Sequence, residues 1–116
     1  MSKPAQLPVI FKKHYFRDAR EWEVTAFFPT LPHDYAGQYL TCYAHVGQHS
    51  GAAFQFFWSG KKCKPEEYAD LLAELKGIYE IANFPGDDVY QLVVYQKMTS
   101  KMRDEFRGEV RRLRAL

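Results

Sequence analysis

The sequence predicts a small α+β domain, a mainly antiparallel sheet of about five strands with two helices on one face, in the order ββββαβα. Three observations carry this. Short runs of alternating apolar and polar residues fill the first half of the chain and recur near residue 90. Two long segments instead repeat apolar residues at helical spacing: Tyr68, Leu71, Leu72, Leu75 and Ile78, then Met102, Phe106, Val110 and Leu113. Third, 16% of the residues are aromatic, an excess of flat, bulky side chains that suits a half-buried sheet. At 116 residues the chain is one domain, long enough to bury a core without staples.

Residues 1–8 are polar with two prolines and are expected to form a flexible arm, leaving 9–116 as the single domain. Residues 9–16 and 21–28 read as strands joined by the short polar Arg17-Asp18-Ala19-Arg20, a hairpin. In the second strand Trp22, Val24, Ala26 and Phe28 share one face and Glu21, Glu23 and Thr25 the other, with Phe27 breaking the polar side. Pro29 and Pro32 are expected to end it, and 30–38 to form a surface loop. Residues 39–46 give a third strand, in which Leu40, Cys42, Ala44 and Val46 alternate with Thr41, Tyr43 and His45. Residues 53–59 (AFQFFWS) read as a fourth, aromatic strand with Phe54, Phe56 and Trp58 on one side.

The basic turn Gly60-Lys61-Lys62-Cys63-Lys64 leads to Pro65, which opens the first helix where its missing N–H costs nothing. Glu66, Glu67 and Asp70 sit near the positive dipole end, and Gly77 is the expected terminator. A turn region over 83–88 precedes the last strand, 89–96. The final helix begins at Thr99 or Ser100, both good caps.

The stretch richest in chemistry is Tyr43-Ala44-His45-Val46-Gly47-Gln48-His49-Ser50-Gly51. On a helix His45 and His49 would share a face at i,i+4, the spacing of a metal pair. Gly47 between them and β-branched Val46 favour extended chain followed by a bend, which separates the two rings. With no Cys/His spacing typical of zinc, neither a metal nor a cofactor is expected. Catalysis would fall to His45 as acid or base, with His49, in a small hydrolase or phosphoesterase; the non-enzymatic reading is preferred. His14 and His33 read as surface or turn residues. Cys42 and Cys63 are too few for a disulfide framework. With no leader pattern and no membrane-length apolar run, a reduced, cytoplasmic setting is expected. Cys42 reads as a small core residue; Cys63 lies between Lys62 and Lys64, charges that lower a thiol pKa.

The net charge of +2 is uneven. Residues 97–116 hold seven Lys or Arg against three acids, a balance of +4, and residues 1–96 hold nine against eleven, a balance of −2. Arg103, Arg107, Arg111 and Arg114 form a stripe about 100° round the helix from its apolar residues. Such a stripe can straddle phosphates, with Lys61, Lys62 and Lys64 extending it and Tyr43 or other exposed aromatics stacking on bases. The alternative is a solvated face on which Glu105 and Glu109 pair with arginines at i+3 or i+4.

Several phrases occur together in a familiar order: Val9-Ile10-Phe11-Lys12-Lys13, Glu23-Val24 with Ala26 and Phe28-Pro29, Cys42-Tyr43, His45-Val46-Gly47-Gln48-His49-Ser50, and Pro65-Glu66-Glu67-Tyr68-Ala69-Asp70-Leu71 with Glu74-Leu75. In these the chain resembles a group of short uncharacterised proteins encoded on bacterial plasmids, phages and integrated elements. The resemblance spans roughly residues 9–102 and implies a setting, an accessory gene product of a mobile element in a bacterial cytosol, without assigning a catalytic residue. The expected function is non-enzymatic binding of a protein partner, through Tyr43, His45, Gln48 and His49 or through the arginine helix. The alternative is a nucleic-acid-binding module using Arg103, Arg107, Arg111 and Arg114. A homodimer is also admissible, and no membrane contact is expected.

Overall fold

The computed structural model describes residues 4–44, 49–82 and 84–116. In chain order they form β1 (Ala5–Phe16), β2 (Glu21–Pro32), β3 (Tyr39–Tyr43), β4 (His49–Ala53), α1 (Phe54–Ser59), β5 (Lys61–Lys62), α2 (Pro65–Tyr79), β6 (Tyr90–Tyr95) and α3 (Ser100–Arg114). The β1–β2 hairpin is the spine of the sheet, paired antiparallel from Ile10↔Phe27 to Phe16↔Glu21. Its reversal closes on a bond from the Arg20 N–H to the Arg17 carbonyl at 3.2 Å, with Arg20 at φ 53°. β3 pairs with β2 and β4 with β3, both antiparallel. The far edge of β1 is shared: parallel β6 takes Ala5 to Ile10, and β5 takes Lys12 and Lys13 antiparallel. The chain thus has the α+β class and the mainly antiparallel sheet that its patterning predicts.

The layering differs from expectation. Successive strand residues point to opposite faces of a sheet, yet Phe27 and Phe28 are both fully buried. Each lies in a core of its own. Leu7, Val9, Phe11, Ala26 and Phe28 meet Leu71 and Leu75 of α2. Ile10, Phe27, Leu40 and Cys42 meet Phe57 of α1 and Met102, Phe106 and Val110 of α3. The helices therefore cover both faces of the sheet, not one.

Four local expectations are corrected. Residues 5–8 are not an arm, since they begin β1 against β6 and Leu7 is buried in the α2-side core; residues 1–3 lie outside the described residues. Pro29 does not end β2. The strand runs on to Pro32 across a register irregularity between Phe28 and Pro32, the kind of site where a missing N–H is tolerated. The fourth strand is His49–Ala53, and Phe54–Ser59 is a helix. Its apolar run satisfies i,i+3,i+4 spacing (Phe54, Phe57, Trp58) as well as alternation, and periodicity cannot arbitrate over so short a segment. Gly77 lies inside α2, which continues to Tyr79 and leaves Ile78 exposed. Val46 and Asn83, assigned to a strand and a turn, lie outside the described residues.

The two long helices start as their sequences predict. The Glu67 carboxylate accepts the Lys64 N–H at 2.8 Å at the head of α2 and also pairs with Lys13 at 2.6 Å. The Thr99 hydroxyl accepts the Met102 N–H at 3.2 Å at the head of α3. At the far end of α2 the Glu80 carboxylate accepts the Leu92 N–H at 2.9 Å, which ties that helix to β6.

Two glycines should respond oppositely to alanine. A Cβ at Gly60 would stand 2.6 Å from His14 Cε1 and 2.8 Å from Lys12 Cβ, and His14 cannot yield because its Nε2 bonds the Phe56 carbonyl at 2.6 Å. Gly60→Ala should cost about 1–3 kcal/mol. Gly77 is helical with nothing within 4 Å, so Gly77→Ala should add roughly 0.5–1 kcal/mol. Urea midpoints moving the same way in both variants would contradict this packing.

Candidate functional site

The α1–α3 face of the sheet carries an open cleft. α1 turns Phe57 into the core and sets Phe54 edge-on to Phe106 of α3, with centroids 5.3 Å apart. This leaves Trp58 about half exposed, at 51%. On α3 the buried residues Met102 and Phe106 are each followed, one position on, by an arginine. A step of about 100° brings Arg103 and Arg107 out of the core and up beside α1. Between the helices lies a cavity of about 300 Å³ lined by Gly37, Phe54, Trp58, Met98, Arg103, Phe106 and Arg107.

Cations surround its indole. The Arg103 guanidinium stands 5.6 Å from the Trp58 ring centroid. Lys12 Nζ reaches in from β1, 5.7 Å from the same centroid and 4.4 Å from that of Phe57. Burial lowers the Lys12 pKa from its ordinary value, and neighbouring Lys62 lowers it further.

The loop after β2 closes one end of the cleft. Asp34 accepts the N–H groups of Gln38 and Tyr39 at 2.9 and 3.0 Å, which forms the turn. Gly37, at φ 73°, lies so close to α3 that a Cβ would stand 2.8 Å from Val110 Cγ2. Arg114 fixes this loop from the other side, donating to the Tyr35 and Ala36 carbonyls at 2.9 and 3.2 Å.

The residues singled out by the sequence are divided by the structure. Arg103 and Arg107 line the cleft, Arg111 continues the stripe one turn on, and Arg114 is engaged by the loop. Glu109 does pair at i+3, with Arg112 and not with a stripe arginine. Glu105 lines a different cleft, with Gln6, Pro8 and Tyr95.

Tyr43 is not an exposed aromatic. It is 2% exposed and belongs to the α2-side core, because that face of the sheet is covered too. His49 lies on the same side, its Nε2 and the Tyr79 hydroxyl hydrogen-bonded at 2.7 Å among the rings of Phe28, Tyr43 and Tyr79. Burial, then the charge of His33, lowers the His49 pKa, and burial followed by Tyr90 raises that of Tyr79. His45 and Gln48 lie outside the described residues. Tyr43 of β3 and His49 of β4 are cross-strand partners in an antiparallel pair.

His14 is a core residue and not a surface one, stacked on Phe56 at 3.8 Å in the opposite layer from His49. Among the described residues no group of three or more His, Cys, Asp or Glu could hold a metal ion. The Cys63 thiol is buried, and its pKa is pushed up to about 11 by burial and by Glu67, against a smaller lowering from Lys13. This is the reverse of the activation its lysine neighbours suggest. No helix among the described residues is long and apolar enough to cross a membrane. Compared with protein-family models, curated proteins and solved structures, the chain finds no match.

Trp58, Lys12, Phe54, Met98 and Gly37 have no place in the sequence-derived site. The one signal among them is the i,i+4 spacing of Phe54 and Trp58, which has meaning only once that segment is a helix.

Two measurements test these environments. Cys63 should alkylate with iodoacetamide at about pH 8 on the order of a hundredfold more slowly in the folded chain than in denaturant, followed by peptide mass; equal rates would contradict its assignment. His49 binds a proton less readily folded than unfolded, so its contribution is fully present above the unfolded value near 6.5 and is lost as the pH falls below it. His49→Gln should therefore lose less unfolding free energy than the parent between about pH 7 and about pH 5. An unchanged difference would mean that His49 does not titrate as described.

Proposed function

We propose that the protein is a non-enzymatic binding module whose site is the α1–α3 cleft, and that the cleft takes a ligand with a planar ring and an attached anion. The observation that carries this reading is the juxtaposition of a half-exposed indole, a guanidinium 5.6 Å from its centroid and a second arginine on the wall of the same cavity. An indole offers a stacking surface to any flat ring. Arginine's planar fork suits phosphate and carboxylate oxygens. A nucleotide unit has both parts.

Chemistry beyond binding has little support. The cleft is lined by arginines, apolar side chains and a glycine, and a guanidinium does not deprotonate to act as a base. The His49–Tyr79 pair is held among aromatic rings on the other side of the sheet, where it serves as a structural hydrogen bond. Burial of Tyr43 weakens the reading in which a protein partner docks there, while the arginine helix keeps its place as contact surface. The resemblance to mobile-element proteins fits an accessory role for such a module.

Titration with thymidine 5′-monophosphate, read by indole fluorescence in a Trp22→Phe background, should quench Trp58 saturably, and thymidine without the phosphate should bind more weakly. Arg103→Ala should weaken monophosphate binding roughly 10- to 100-fold, the range for a charge-assisted hydrogen bond. Quenching that never saturates, or that Arg103→Ala leaves unchanged, would remove this assignment.

A further inference from the structure

We infer that the cleft holds one unit of a longer ligand: a single-stranded nucleic acid laid across Trp58 along the cations Arg111, Arg107, Arg103, Lys12 and Lys62. This deepens, and rests on, the reading of the α1–α3 cleft as a nucleotide-unit site. The positive charge does not stop where the cavity stops. On one side Arg103, Arg107 and Arg111 climb α3 at i,i+4 intervals, each a rise of about 6 Å, comparable to one nucleotide of an extended strand. On the other side Lys12 stands over α1, and Lys62 is its cross-strand partner in β5, so both project from the same face as Trp58.

Among the described residues none of these cations is held in an ion pair. The ion pairs Lys13–Glu67 and Arg112–Glu109 engage other cations and include no member of the row. Glu105 and Glu109 fall on the opposite side of α3, and Asp104 alone among the acids of that helix flanks the arginines. Lys12 and Lys62 sit close enough for the charge of one to depress the pKa of the other. Like charges held together at a cost in folding energy are relieved by a polyanion.

The indole at the centre selects the type of polyanion. A base can stack on Trp58 only if it is unstacked from its neighbours, which a single strand permits and a duplex does not. An acidic polypeptide would neutralise the row but has no regularly placed ring for the indole.

The test uses the full chain carrying Trp22→Phe, so that fluorescence reports Trp58, titrated with oligothymidylates from two to ten nucleotides, a blunt duplex and polyglutamate. Affinity should rise with length up to about five nucleotides. For five phosphates the decanucleotide should lose affinity with salt at a log–log slope of about −3.5. Arg111→Glu and Lys62→Glu, both at exposed positions and checked for folding by circular dichroism, should each weaken decanucleotide binding roughly tenfold and leave monophosphate binding unchanged. Affinity that stops rising at the dinucleotide, with both reversals silent, would overturn the extended row while leaving the cleft assignment intact. Duplex or polyglutamate binding as tightly as the decanucleotide would overturn the single-strand assignment. Failure of every probe, monophosphate included, to alter Trp58 emission would bring down both readings.

Discussion

Phe27 and Phe28 are neighbours in β2, both removed from solvent, and a pleated strand sends them in opposite directions. The hairpin that carries them has to be covered twice, and much else in the molecule follows from that requirement. A fully buried phenylalanine stabilises a fold by about 3 kcal/mol by area alone, so leaving either face open would forfeit a large part of a small domain's margin. α2 closes one side through Leu71 and Leu75. The other side is closed by two helices, since α3 reaches only part of it with Met102, Phe106 and Val110, and Phe57 of α1 supplies the remainder.

The cleft is a consequence of that division. Two helices that together roof one face leave a seam, and the residues along the seam are those that each helix turns away from the sheet. For α3 these include arginines and for α1 a tryptophan. The loop at Gly37 stops the seam at one end because a left-handed glycine lets backbone approach Val110 where a side chain would collide. Site and core therefore share their supports: Phe54 and Phe106, which form the floor of the cleft, are also the contact that holds α1 to α3.

How far this was legible in the sequence depends on how local each determinant is. α2 and α3 could be read because their apolar spacing runs over several turns and their first turns carry Pro65 and Thr99. The β1–β2 hairpin could be read from alternation and a short polar turn. The start of β1 could not, because what makes residues 5–8 a strand is β6, some 80 residues away. Residues 53–59 hold five apolar side chains in seven and fit either period. Alternation places Tyr43 on the side of its strand opposite Leu40 and Cys42, as in the structure, but does not say whether that side is covered. The clue to a doubly covered sheet was Phe27 beside Phe28, an interruption of the polar face that signals a second core. Arg103, Arg107 and Arg111 were visible as a stripe; their companions Trp58 and Lys12 were not, because they meet only through α1.

The two lysines of β5 point to opposite sides of the sheet, and each faces another lysine across the ladder, Lys62 with Lys12 and Lys61 with Lys13. The second pair has a carboxylate within reach, since Glu67 bonds Lys13. The first has none. The border of the sheet is thus partly neutralised on one side, with one carboxylate to two lysines, and electrostatically frustrated on the other. Dissolved counterions must supply what the polypeptide leaves unmet, most of all beside Lys12 and Lys62, so the stiffness of that border is set partly by the medium.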